Sequence, residues 1–271
     1  MWYFLLLSSG RVSYIPPMLE PLQLVFVLFA GFSAGFVDTI AGGGGIITVP
    51  ALLAVGLPPH LALGTNKLQA SFGSFTASWR YTRGGLVDPR TMVWGIAWTF
   101  VGAALGTLAI LVISGEFLEW VIPFLLVGVF IYVLVNPATS EIRTQARMKE
   151  NLFYLIFGLL IGFYDGFFGP GTGSFWTISF IALLGLPLKE ATGHTKITNF
   201  TSNFVSLGVF VIGGQVVWSI GLIMGFSQVI GAWLGSHVVL NRSTKLIRGI
   251  FLTMVGLTIL NILRQNLGIW V

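Results

Sequence analysis

The sequence has no cysteine and very little charge. The first absence excludes disulfides and thiolate metal sites, and leaves the redox compartment unread. The second says more. Asp, Glu, Lys and Arg make up 8% of the 271 residues, against about 25% in an ordinary soluble domain. So few ionised groups cannot cover a water-facing globule. The three histidines, His60, His194 and His237, show no zinc spacing. The glycine run at 42–45 follows an apolar segment and is not followed by G-K-[ST], so it is not a nucleotide-binding loop. No Ser/His/Asp nucleophile arrangement can be argued either. The chain is therefore not read as an enzyme, and no metal, cofactor or nucleic-acid partner is expected.

What the sequence does have is apolar length. It is 55% hydrophobic, with a mean hydropathy of +0.90. The apolar residues form continuous runs at 21–37, 92–113, 120–135 and 152–163, whereas a β-barrel would show alternating strands of about ten residues. The class is an all-α polytopic membrane protein. Apolar segments fall near 22–40, 46–56, 60–80, 91–113 and 118–135, and again near 152–168, 174–186, 190–213, 217–240 and 246–263. The second of each set is well short of the ~20 residues a span needs. The pattern predicts about 8–10 transmembrane segments, with short or broken helices after Asp38 and Asp165.

The two sets are copies. Gly31, Gly35 and Asp38 map onto Gly158, Gly162 and Asp165 at an offset of 127. After a two-residue insertion, Gly56-Leu57-Pro58, Gly64, Lys67 and Gly84-Gly85 map onto Gly185-Leu186-Pro187, Gly193, Lys196 and Gly213-Gly214 at 129. "GAALG" (102–106) then maps onto "GAWLG" (231–235). Such a duplication is common in transporters. Nine of the fourteen Lys and Arg fall in 80–90, 143–149 and 242–248, which the positive-inside rule makes cytoplasmic. Loop 80–85 is basic while its equivalent 209–214 has no charge, and Glu119 aligns with Arg248. Equivalent positions thus fall on opposite faces, so the repeats are read as inverted. The expected division is an N-terminal extension at 1–19, a first transmembrane repeat at 20–135, a cytoplasmic linker at 136–150 and a second repeat at 151–271. Residues 1–17 read as an extension upstream of a start at Met18.

Two polar features interrupt the apolar runs. Asp38 and Asp165 each end a glycine-spaced helix and precede a helix-breaking run, "AGGGGI" (41–46) and "FGPGTGS" (168–174). Charge and irregular backbone at membrane depth are tolerated where they line a cavity or lie buried in protein. The aspartates are coupling carboxylates or caps for the broken backbone. Lys67 and Lys196 each head a polar stripe, Lys67–Ser71–Ser74 and Lys196–Asn199–Asn203, which must face the bundle interior. The lysines either hold an anion between the repeats or neutralise the aspartate of their own half. For Lys67 the leading partner on this reading is Asp38. Helix N-termini after the glycine runs, at Gly43, Gly44 and Gly171, would add N–H donors to an anion site. Tyr164 could hydrogen-bond a substrate or the carboxylate. The Gly102-x-x-x-Gly106 and Gly231-x-x-x-Gly235 pairs read as internal packing seams.

The stretches "GFVDTIAGGGGIITVPALLAVGLPPHLALGTNKLQ", "GFYDGFFGPGTGSF" and "HTKITNFTSN" resemble the TauE/SafE family of membrane permeases, over nearly all of residues 20–265. The resemblance implies an inverted two-half helical fold in a bacterial-type inner membrane. It also implies transport of small sulfur-containing anions such as sulfite or sulfonates; monomer and homodimer both stay open. The residues it carries over are Asp38, Thr65, Asn66, Lys67, Asp165, His194, Lys196 and Asn199. Thr65 stands where the second half has His194, so the implied site is not symmetric. A passive anion channel, or a cation or proton carrier using the aspartates, remains an alternative at this point.

Overall fold

A computed structural model describes residues 19–135 and 142–241. Among these residues the chain is all helix, with no strand. The first half gives α1 (Pro21–Ala41), α2 (Gly44–Ala54), α3 (Pro59–Arg83), α4 (Val93–Leu111) and α5 (Gly115–Val135). The second gives α6 (Glu150–Phe167), α7 (Thr172–Leu184), α8 (Leu188–Ile212) and α9 (Trp218–Asn241). The expected final segment, the extension up to residue 18 and the basic cluster Arg242, Lys245 and Arg248 lie outside the described residues.

Among the described residues three helical stretches, Pro21–Ile40, Pro89–Leu111 and Trp218–Asn241, are long and apolar enough to cross a membrane. Helices α2 and α7, of 11 and 13 residues, extend about 16–20 Å at 1.5 Å per residue, roughly half to two-thirds of a bilayer core. Large apolar side chains such as Phe29, Phe100, Phe226 and Trp233 point outward, as on a surface solvated by lipid rather than water. The polar stripes point inward. Lys67, Ser71 and Ser74 of α3, and Lys196, Asn199 and Asn203 of α8, are all buried.

Two glycine seams set the helix pairing. Helix α4 packs on α6 and α1 packs on α9, so each seam joins one half to the other. A Cβ at Gly106 would lie 2.0 Å from the Phe163 carbonyl oxygen, and one at Gly231 would lie 2.1 Å from that of Phe32. Only a missing side chain lets these backbones approach so closely. Both small-residue pairs are thus internal packing surfaces. Helix α3 also packs on α8, which sets the two polar stripes against one another.

One basic segment differs from expectation. Arg80 and Arg83 lie on the last turn of α3 rather than in a loop. The helix runs on to Gly84, whose N–H donates to the Arg80 carbonyl at 2.8 Å. The Arg80 side chain donates to Ser236 Oγ at 3.0 Å and stacks 4.0 Å from the Trp233 ring centre. A cation at a helix C-terminus also complements the macrodipole.

Candidate functional site

The two helix breaks are built by glycine. Between α1 and α2, Gly42 and Gly43 have φ of +75° and +104°; between α6 and α7, Gly169 and Gly171 have φ of +98° and +82°. Other L-residues reach this region only at a cost. Pro170, which has no N–H, sits between the last two. The breaks meet: a Cβ on Gly42 would fall 2.6 Å from the Gly173 Cα. The N-termini of α2 and α7 therefore come together inside the bundle.

Each break carries its aspartate, and each aspartate takes a lysine from the other half. Lys196 Nζ lies 2.8 Å from Asp38 Oδ2, and Lys67 Nζ lies 2.6 Å from Asp165 Oδ1. This corrects the expectation that each lysine neutralises the carboxylate of its own half, with Asp38 as the partner of Lys67. The reason is visible at Asp38. Its Oδ1 accepts from the Gly43 and Gly44 N–H groups at 3.1 and 3.2 Å, capping α2, which leaves Oδ2 for Lys196 on α8. At the other break Gly169 makes room, since a Cβ there would lie 2.8 Å from Lys67 Nζ. Asp165 also accepts from the Ser202 hydroxyl, and Lys67 donates to the Asp165 carbonyl as well. The four charges cancel. The pairs are unequally sealed: the Asp38 side chain is 16% exposed, that of Asp165 only 3%.

Between the pairs lies a cavity of about 30 Å³, enough for one or two waters. Its wall includes Asp38, Gly43, Gly44, Asp165, Gly171 and Asn199 from the expected set. Asn66 joins them; its Oδ1 accepts from Thr48 Oγ1 at 2.5 Å and Gln69 Nε2 at 2.7 Å. The lysines stand behind the carboxylates and do not line it. Three further carboxamides line it, Asn199 and Asn203 of α8 and Gln228 of α9. The Asn199 Oδ1 and Gln228 Oε1 atoms are buried without a hydrogen-bond partner among the described residues. An unsatisfied buried carbonyl costs about 1–3 kcal/mol, so both are positions where a ligand or water would be favoured.

Three expected residues lie elsewhere. Thr65 Oγ1 accepts from the Val217 N–H at 2.9 Å. His194 Nδ1 is 2.9 Å from the Glu190 carbonyl, and its ring lies against Phe180. Both residues are two positions from a lysine, about 200° around a helix, and so face away from it. The Tyr164 hydroxyl donates to the Pro170 carbonyl at 2.7 Å and braces the break rather than reaching the carboxylate. Gln228 and Thr172 line the cavity as well, and the motif reading selected neither. A lone glutamine in the apolar run "GLIMGFSQVIGAWLG" is the signal that could have found the first.

The two opposed half-helix N-termini, the aspartate at each break and the paired lysines coincide with a family model described as "Sulfite exporter TauE/SafE", which matches residues 27–262. The chain belongs to the TauE/SafE family. Its relatives have matching lengths. A "Probable membrane transporter protein" of Haemophilus influenzae is 44% identical over 238 residues, covering 86% of this chain and 92% of that protein. "Probable membrane transporter protein YfcA" of Escherichia coli is 43% identical over 231 residues, covering 85% and 86%. A "Probable membrane transporter protein ORF9" of a Sinorhizobium species is 43% identical over 225 residues, covering 83% and 86%. No solved structure matches. This TauE/SafE chain is thus a membrane protein whose relatives are named as transporters.

Proposed function

We propose that this protein is a secondary transporter of small sulfur-containing oxyanions, such as sulfite or sulfonates, in a bacterial-type inner membrane. The supporting observation is the meeting of the α2 and α7 N-termini at one cavity with cancelling formal charges. Helix N-termini present N–H groups and a positive dipole end to an anion; at α2 the Gly43 and Gly44 N–H groups serve Asp38 until it moves aside. With the ion pairs closed, the site carries no net charge to reject one. The pairing of α1 with α9 and of α4 with α6, at equivalent repeat positions, supports two inverted halves rocking about this cavity. A space of one or two waters fits a closed stage of that cycle. Lys67 and Lys196 bind the cargo when an aspartate releases them. A proton arriving on Asp38 or Asp165 with one monovalent anion keeps the site neutral, which makes the aspartates the coupling groups.

Purified protein in sealed vesicles is expected to take up labelled sulfite or ethanesulfonate saturably, and to show faster uptake when the same anion is trapped inside. Linear, unsaturating flux without that stimulation would mean a passive channel. Because the aspartates rather than the lysines line the cavity, a cation or proton carrier is the second reading. A current that reverses at the proton or sodium potential, with no anion flux, would establish it and overturn the first.

A further inference from the structure

The cavity wall is not shared evenly between the repeats. Three of its four carboxamides come from the second half, and the fourth, Asn66, has its carbonyl oxygen taken by Thr48 and Gln69. At the offset of 129 that relates the halves here, Asn199, Asn203 and Gln228 correspond to Ala70, Ser74 and Thr99, none of which carries an amide. The Gln228 side chain fits because α3 leaves a slot for it. A Cβ on Gly73 would lie 2.7 Å from both Gln228 Cγ and Nε2, and 2.9 Å from Cδ. The three nearest atoms are all in that one side chain, so the slot at Gly73 is shaped to the carboxamide. At the equivalent position the second half has Ser202, whose hydroxyl holds Asp165. One repeat position thus serves opposite ends: a hydroxyl that clamps an ion pair, and an absent side chain that admits an amide.

Resting on the anion reading above, we propose that Gln228, seated in the Gly73 slot, is a substrate-selecting residue that acts with Asn199 and Asn203. The cargo's oxyanion group sits against α8 and α9 rather than midway between the halves. A carboxamide carries two N–H donors and one carbonyl acceptor on a planar group, and a half-turn about its last bond exchanges them. It can therefore grip the oxygens of a sulfite or sulfonate without adding charge. Among the described residues the Asn199 and Gln228 carbonyl oxygens have no hydrogen-bond partner to lose in this turn. Gly73 is a positioning residue that acts only through Gln228.

The test is a binding panel of sulfite, ethanesulfonate and acetate on purified full-length protein, wild type and Gln228→Leu, read by calorimetry. Leucine is close in size and removes the amide. The ratio of Kd values among the three anions is expected to change by roughly tenfold or more. Gly73→Ala should change the ratio in the same direction, and the Gly73→Ala/Gln228→Leu double variant should match Gln228→Leu alone. If Gly73→Ala does not fold, the Gln228→Leu ratio decides. An unchanged ratio in a folded Gln228→Leu protein overturns the inference while the anion reading stands. A wild type that binds none of the three anions overturns both.

Discussion

The two ion pairs at the centre of the molecule have the same composition and different surroundings. Asp38 spreads its charge over Lys196 and two backbone N–H groups at the start of α2, and part of it stays accessible. Asp165 is held by Lys67 and the Ser202 hydroxyl and is almost fully enclosed. Two corresponding stretches of sequence thus carry one carboxylate that is partly accessible and one that is nearly enclosed. Both pairs join the first half to the second and both carboxylates line the cavity, but the Asp38 pair is the more open of the two.

The sharpest way to break this comparison is to remove one lysine at a time. Lys67→Met leaves Asp165 buried beside a single hydroxyl, and is expected to cost about 3–5 kcal/mol of stability. Lys196→Met leaves Asp38 its two backbone donors and some water, and should cost clearly less. Denaturant unfolding in detergent micelles measures both, and equal losses would end the distinction. A second comparison concerns the seams. Gly106→Leu and Gly231→Leu each force a side chain against a backbone carbonyl, and each should lower stability by about 2–3 kcal/mol. A large effect at only one seam, seen in the same assay, would mean that the halves do not share the packing load.

Smaller effects refine the picture. Ser202→Ala removes one donor from the nearly enclosed carboxylate and should cost about 1–3 kcal/mol, lowering the midpoint of thermal unfolding while leaving oligomeric state unchanged. The smallest effect belongs to Arg143 and Glu190, paired on the surface with side chains 61% and 35% exposed. Arg143→Ala should shift stability by no more than about 1 kcal/mol, and less in high salt.

The fold was largely legible because its signals are local. Apolar length marks the helices, and glycine and proline mark the breaks. The helical period places Lys196, Asn199 and Asn203 on one buried face. That same period explains why Thr65 and His194, close to the lysines in sequence, lie away from the cavity. The ion-pair partners were not legible. Spacing along the chain favoured Asp38 for Lys67, whereas the actual partner is set by how four long helices cross between the halves. Gln228 was missed for a related reason: nothing near it in sequence is polar enough to form a motif, and its slot is made by a glycine on another helix.

The crossed pairing also sets a timetable for making the protein. Lys67 is synthesised 98 residues before Asp165, and Asp38 158 residues before Lys196. At about 5–20 residues per second, a nascent first half holds an unmatched charge for some 5–30 s before its counter-ion leaves the ribosome. Until then it depends on water or the insertion machinery to shelter that charge, and only the second half's arrival lets the first settle.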